Sequence, residues 1–147
     1  MNWIAHRGYS REAPENTFAA FRRAIEKGAS GIELDVHVSK DGELVVMHDD
    51  DVSRTTNGKG LVRDMTASEL KRLDAGSWFG EPYRGEEVPF LEEVLHFVPP
   101  EVLINIEIKN IPIFYEGIEK KVSDAFIRQN CMEQATFRRS IIAVYID

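Results

Sequence analysis

Glu33 and Asp35 stand two residues apart in the segment GIELDVHV. On an extended backbone that spacing turns both carboxylates to one face, roughly 6.5 to 7 Å apart. Two like charges there repel unless they share a cation or a proton. Oxygen-only ligands suit a hard cation, Mg2+ or Ca2+, and Glu107 in LINIEIK is a candidate third ligand from a neighbouring strand. Taken alone, a Glu-x-Asp pair is more often the solvated face of an edge strand.

His6 and His48 each close a strand-like run, at the carboxyl end where parallel α/β folds gather their active sites. Imidazole titrates near neutrality, so one ring can accept a proton while the other donates one. A lone histidine at either place is more often structural. Arg7 and Lys109 stand beside His6 and Glu107. Arginine grips a phosphate through paired donors and lysine offers a point charge, although either could equally pair with the nearby carboxylates. His37 shares the acidic face of its strand as a candidate supporting partner, and His96 reads as structural.

The elements that must hold these residues follow from periodicity. NWIAH is a short strand running into Arg7 and Gly8, and a helix fits Thr17 to Lys27, with Phe18, Phe21 and Ile25 on one side and Gly28 as its stop. GIELDVHV alternates strictly: Ile32, Leu34, Val36 and Val38 face one way, Glu33, Asp35 and His37 the other. ELVVMHD is a further strand ending on His48. Residues 49–89 hold five of the ten glycines, at 58, 60, 76, 80 and 85, and read as an insertion or long loop with one helical piece opened by the capping box Thr66-Ala67-Ser68-Glu69. A short helix over 90–97, a strand over 102–109 and a helix over 115–127 complete the series. Strands alternating with helices predict βαβ units and a parallel sheet.

The chain has 147 residues, 43% hydrophobic and 29% charged, an ordinary composition for a single soluble domain. A complete (β/α)8 barrel is excluded by length, since it typically needs ~250 residues. A net charge of -7 without a dense Lys/Arg cluster argues against nucleic acid as a partner. No basic leader and no apolar run of ~18 residues stands in the sequence, so no membrane anchor is expected and a cytoplasmic location is. The lone Cys131 can form no internal disulfide.

Taken together, AHRG, APENT opening a helix, IELDV, KDGELVVMHD, RTTNGKG and IEIK resemble the glycerophosphodiester phosphodiesterase family in order, spacing and residue type, from Ile4 to about Lys109 and weakly on to Ile127. The resemblance implies a TIM-type (β/α)8 barrel, here incomplete and covering roughly the first half, with a small loop-rich insertion. It implies metal-dependent hydrolysis of glycerophosphodiesters to glycerol 3-phosphate and an alcohol. Carried over by motif, His6 and His48 are the acid/base pair, Glu33, Asp35 and Glu107 the ligands of a divalent cation, Mg2+ or Ca2+, Arg7 the phosphate-contacting arginine and Lys109 the lysine of the EIK motif. The alternatives are a non-catalytic remnant that binds phosphate or metal, and a related lysophospholipid or sphingolipid phosphodiesterase.

The sequence departs from the family pattern over residues 135–147, ATFRRSIIAVYID, where a further strand and a Ser-Phe motif are expected. These residues read as an aberrant or truncated tail. Codons can be chosen for Thr136 to Ile142 that, from the third base of the Thr136 codon, spell Ile-Ser-Ser-Phe-Asn-His, so a frameshift is one explanation and the nucleotide sequence tests it. A half barrel exposes the edges of its first and last strands, which predicts marginal folding in isolation. The oligomeric state is left open.

Overall fold

The strict alternation of GIELDVHV builds the central strand. In the computed structural model, which describes residues 3–139, β1 (Ile4–His6) and β2 (Gly31–Val38) pair in parallel. The next strand, β3 (Leu44–Val46), pairs antiparallel with β2. β4 (Leu103–Ile108) lies on the other side of β2, and β5 (Ala135–Arg139) lies beyond β4, both parallel. The order β1-β2-β4-β5 is an open arc of parallel strands and not a closed barrel, the arrangement of an incomplete (β/α)8 barrel.

β3 corrects one expectation. ELVVMHD suggests a strand that carries His48 at its carboxyl end, in line with the parallel set. Instead β3 stops at Val46 and forms a hairpin with β2, Val36 opposite Val46 and Val38 opposite Leu44. The connection is too short for anything else, because a parallel crossover needs a dozen or so residues. Ser39 fixes the turn, its hydroxyl accepting the Glu43 N–H at 2.9 Å and donating to Asp41 at 2.7 Å. His48 therefore sits on a loop that leaves the hairpin.

The α-helices of the described residues are α1 (Phe18–Glu26), α2 (Ala67–Lys71), α3 (Leu91–Phe97) and α4 (Ile118–Arg128). α1 begins at Thr17, whose hydroxyl accepts the Ala20 N–H, and the chain leaves it at Gly28 with φ +79°, a conformation that favours glycine. The helix expected from Tyr115 starts only at Ile118, because Gly117 at φ +72° breaks the helical run before it. Phe21 of α1, Leu91 and Val94 of α3, and Val122 and Phe126 of α4 bury against Ile32, Leu34, Ile104 and Ile106 of the sheet in one apolar core. Each such side chain contributes roughly 1.5–3 kcal/mol of burial. No helix among the described residues is long and apolar enough to cross a membrane.

Residues 49–89 hold α2 and 3-10 turns at Val62–Asp64 and Glu81–Tyr83, with little other regular structure. They nevertheless have their own core, in which Val52, Val62, Leu70, Ala75 and Val88 pack with Val45 and Met47. α2 opens with the reciprocal cap its sequence predicts: the Glu69 N–H donates to the Thr66 hydroxyl at 3.3 Å, and the Thr66 N–H to the Glu69 carboxylate at 2.7 Å. β5 takes up the start of ATFRRSIIAVYID. The remainder of that expected tail, residues 140–147, lies outside the described residues.

Candidate functional site

Side chains that alternate away from the helices converge on the other face of the sheet. Register sets His6 beside Glu33 and Asp35 beside Glu107. One oxygen from each of Glu33, Asp35 and Glu107 lies within 4.8 Å of the others. β2 is central, so the solvated edge strand weighed above does not apply: Asp35 is 0% and Glu33 6% exposed. Burial, and then the Asp35 charge beside it, push the Glu33 carboxyl up to about 7.

Three neighbours answer this excess of negative charge. Lys109 Nζ lies 3.0 Å from Asp35 Oδ1 and donates to Glu107 Oε1 at 2.6 Å. Arg7 Nε is 3.4 Å from Asp35 Oδ2, and Asn16 Nδ2 donates to the same oxygen at 2.9 Å. Arg7 holds a left-handed backbone, φ +58°, that aims its own N–H at Glu33 Oε2, 3.0 Å away. Such a conformation in a non-glycine residue costs ~1–3 kcal/mol and persists only where its surroundings over-determine it. Asp35 Oδ1, fully buried, makes no hydrogen bond of good geometry despite its ion pair. An all-oxygen donor set with an under-satisfied carboxylate and a carboxyl group driven toward neutrality fits a hard divalent cation.

The two histidines are held differently. His6 Nε2 is 3.9 Å from Glu33 Oε2, and its side chain is 67% exposed. Desolvation and then the Arg7 charge lower its pKa. His48 is gripped at both backbone and ring. Its carbonyl oxygen is 2.9 Å from His37 Nε2, and its Nδ1 is 2.7 Å from Asp49 Oδ1. A carbonyl only accepts, so His37 carries its proton on Nε2, and its Nδ1 accepts a hydrogen bond from the Tyr115 hydroxyl at 3.1 Å. Burial lowers the His37 pKa and raises that of Tyr115 to about 12, which keeps this donor order. His37 thus supports the His48 loop. His96 is exposed on α3, apart from the site. His48 and Lys109 line one cleft with His37, Asp49 and Pro112.

Sequence reasoning gave no place in the site to Glu15, Asn16, Asp49 or Arg54. Arg54 bonds both Asp49 and Glu15, and Glu15 also accepts from Arg7 Nη1 at 3.2 Å. The strings APENT and RTTNGKG contain three of these four residues, but a loop residue's neighbours have no period from which to be predicted.

Comparison with known proteins covers nearly all of the chain. The profile of the Glycerophosphoryl diester phosphodiesterase family matches residues 6–136, which carries the likeness past α4 to the start of β5. A glycerophosphodiester phosphodiesterase of Caldanaerobacter subterraneus subsp. tengcongensis is 54% identical over 132 residues, 89% of this chain and 54% of that protein. The crystal structure of glycerophosphodiester phosphodiesterase from Agrobacterium tumefaciens superposes with a TM-score of 0.87 at 39% identity, over 96% of this chain and 59% of that one. A phosphodiesterase of Oleispira antarctica, in complex with the product sn-glycerol-3-phosphate, gives a TM-score of 0.80 at 36% identity, over 97% of this chain and 58% of that one. The chain therefore spans a little over half the length of these relatives.

Proposed function

The chain belongs to the glycerophosphoryl diester phosphodiesterase family, and from that premise we propose that the protein hydrolyses glycerophosphodiesters to glycerol 3-phosphate and an alcohol, with His6 and His48 as its acid/base pair. The observation that carries this reading is the meeting of His6, Arg7 and Lys109 with the carboxylates of Glu33, Asp35 and Glu107 at the carboxyl end of parallel strands. The product bound to the Oleispira antarctica relative agrees with the proposed product. Residues 49–89 are proposed as an insertion within one partial domain.

Phosphodiester cleavage requires that a nucleophile lose a proton, a leaving alkoxide gain one, and the charge on the non-bridging oxygens be stabilised. His6 and His48 divide the two proton transfers. Arg7 and Lys109 set positive charge where an anionic substrate must approach an acidic chain. Glu33, Asp35 and Glu107 would hold a divalent cation, Mg2+ or Ca2+, which when bound supplies further positive charge to the phosphoryl oxygens. Arg7 and Asn16 keep Asp35 in place from one side and Lys109 from the other.

The test is release of glycerol 3-phosphate from glycerophosphocholine and glycerophosphoethanolamine with Mg2+ or Ca2+, compared with a His6→Ala variant. Turnover that needs the cation and falls by ~100-fold or more in the variant is expected. A folded chain without turnover, or a variant as active as the parent, overturns the catalytic assignment. A substrate panel that includes lysophosphatidylcholine decides the headgroup class.

A further inference from the structure

We propose that Arg54 is the positioning residue that joins the two sides of the site: one guanidinium forks onto both Asp49 and Glu15, fixing the His48 imidazole through the first and Arg7 through the second. The proposal rests on the reading of His48 as an acid/base group. Arg54 Nε and Nη2 donate to the two oxygens of Asp49 at 2.7 and 3.0 Å, while Nη2 and Nη1 donate to the two oxygens of Glu15 at 2.7 and 3.1 Å. Beyond these carboxylates, Asp49 Oδ1 meets His48 Nδ1 at 2.7 Å, and Glu15 Oε1 accepts from Arg7 Nη1 at 3.2 Å. A continuous run of polar contacts thus leads from His48 through Arg54 to Arg7 and on to Asp35.

The chemistry follows from which groups can donate. The Arg54 hydrogen bond holds the Asp49 carboxyl well below the usual range. Burial alone would raise Glu15, but the hydrogen bond and charge of Arg54, with Arg7 behind them, outweigh it and leave Glu15 lowered. Asp49 is then an acceptor only, so His48, which lines the cleft, carries its proton on Nδ1 and leaves Nε2 as the unprotonated nitrogen. A positioned acid/base histidine oriented by a carboxylate is a recurrent catalytic arrangement. The planar fork of arginine reaches all four oxygens of the two carboxylates, whereas the ammonium of lysine has only three donors on one point charge.

This gives the RTTNGKG string its place. Thr55 and Thr56 are buried, and the Thr56 hydroxyl donates to the Val52 carbonyl at 2.7 Å and accepts the Gly58 N–H at 3.1 Å. A β-carbon at Gly58 would come within 2.6 Å of Leu73 Cδ2. The second core and this tight turn deliver Arg54 to the gap between Asp49 and Glu15.

The experiment is long-range 1H–15N correlation of histidine-labelled full-length chain at a pH where the His48 ring is neutral, with its signals assigned by their loss in His48→Gln. The parent is expected to hold the Nδ1–H tautomer. Arg54→Ala is expected to move the ratio about tenfold toward Nε2–H, the effect of losing one charge-assisted hydrogen bond, and Arg54→Lys is expected not to restore it. A parent already in the Nε2–H form, an Arg54→Ala chain with the parent's tautomer, or full restoration by lysine overturns the proposal. Where the alanine variant does not fold, Arg54→Lys decides alone: a shifted ratio supports the fork and an unshifted one overturns it. Hydrolysis by His48→Gln fails or survives separately, because turnover there removes the catalytic role of His48 while the tautomer still reports what Arg54 does.

Discussion

The candidate site has a strand-built side and a loop-built side. On the first, Glu33, Asp35 and Glu107 project from β2 and β4, and their meeting follows from register alone. On the second, His48, Asp49 and Arg54 come from the irregular region after β3, held by a separate core and a run of side-chain hydrogen bonds. The contrast shows two ways of fixing a charged group. A strand sets its ligands through the backbone ladder and here crowds three carboxylates around two cations, Arg7 and Lys109, whereas on the loop side Asp49, Arg54 and Glu15 are each held by a group of opposite charge. The strand side carries excess negative charge, and the loop side alternates in sign.

The largest expected effect tests whether the loop side stands on its own core. Leu70→Ala removes a fully buried side chain from that core and should cost about 2–5 kcal/mol. Hydrogen exchange should show the loss concentrated in residues 49–89, with β2 and β4 amides still protected. Equal loss of protection in β2 would make the two sides one cooperative unit and break the comparison.

The crowded carboxylates make the next prediction. Glu33 rises from 4.5 to about 7 in the folded chain, chiefly through burial. A raised carboxyl pKa contributes stability that is fully present below the unfolded value and is lost as pH rises through the folded one. Without divalent cation, urea denaturation should therefore show stability falling between about pH 5 and pH 8, by on the order of 3 kcal/mol at most. Glu33→Gln should flatten that slope, and an unchanged slope would place the effect elsewhere.

Cation binding separates the sides more directly. Asp35→Ala should weaken Mg2+ or Ca2+ binding by on the order of 100-fold in calorimetry, against a few-fold at most for Arg54→Ala. Similar losses in both would mean that the loop side also determines the cation site. The smallest effect concerns the loop network itself. Arg54 is 44% exposed as a side chain, so Arg54→Ala should cost only about 1 kcal/mol of stability at pH 7. Asp49 and Glu15 both have lowered pKa values, so that difference should be full above about pH 5 and vanish as pH falls through their folded values. A difference undiminished at pH 2 would have another origin, such as lost packing.

Legibility in the sequence divides along the same line. Period-two alternation located β2 and β4 and put Glu33, Asp35 and Glu107 on one face, and the Thr66–Glu69 cap marked α2. Alternation could not tell a parallel strand from a hairpin strand, so β3 and the attachment of His48 emerged only from pairing. Burial on both faces of β2 likewise depends on what covers the strand. Asn16 and Arg54 stand in the APENT and RTTNGKG motifs without a place in the site, because Asp35 lies 19 residues from the first and Glu15 lies 39 from the second, and even Asp49, five residues from Arg54, is reached across a loop whose contacts have no period.

Local chemistry was thus determined by the sequence itself: the residue types able to move protons and hold a cation, the helices and strands that carry them, and the resemblance that named a family. Those properties depend on neighbours a few residues apart, where backbone geometry is fixed. Tertiary structure alone decided which charges face one another, that Glu33 is driven toward neutrality while Asp49 is held ionised, and that a single arginine reaches both Asp49 and Glu15. These are properties of distance and solvent exclusion, and both arise only when remote segments pack.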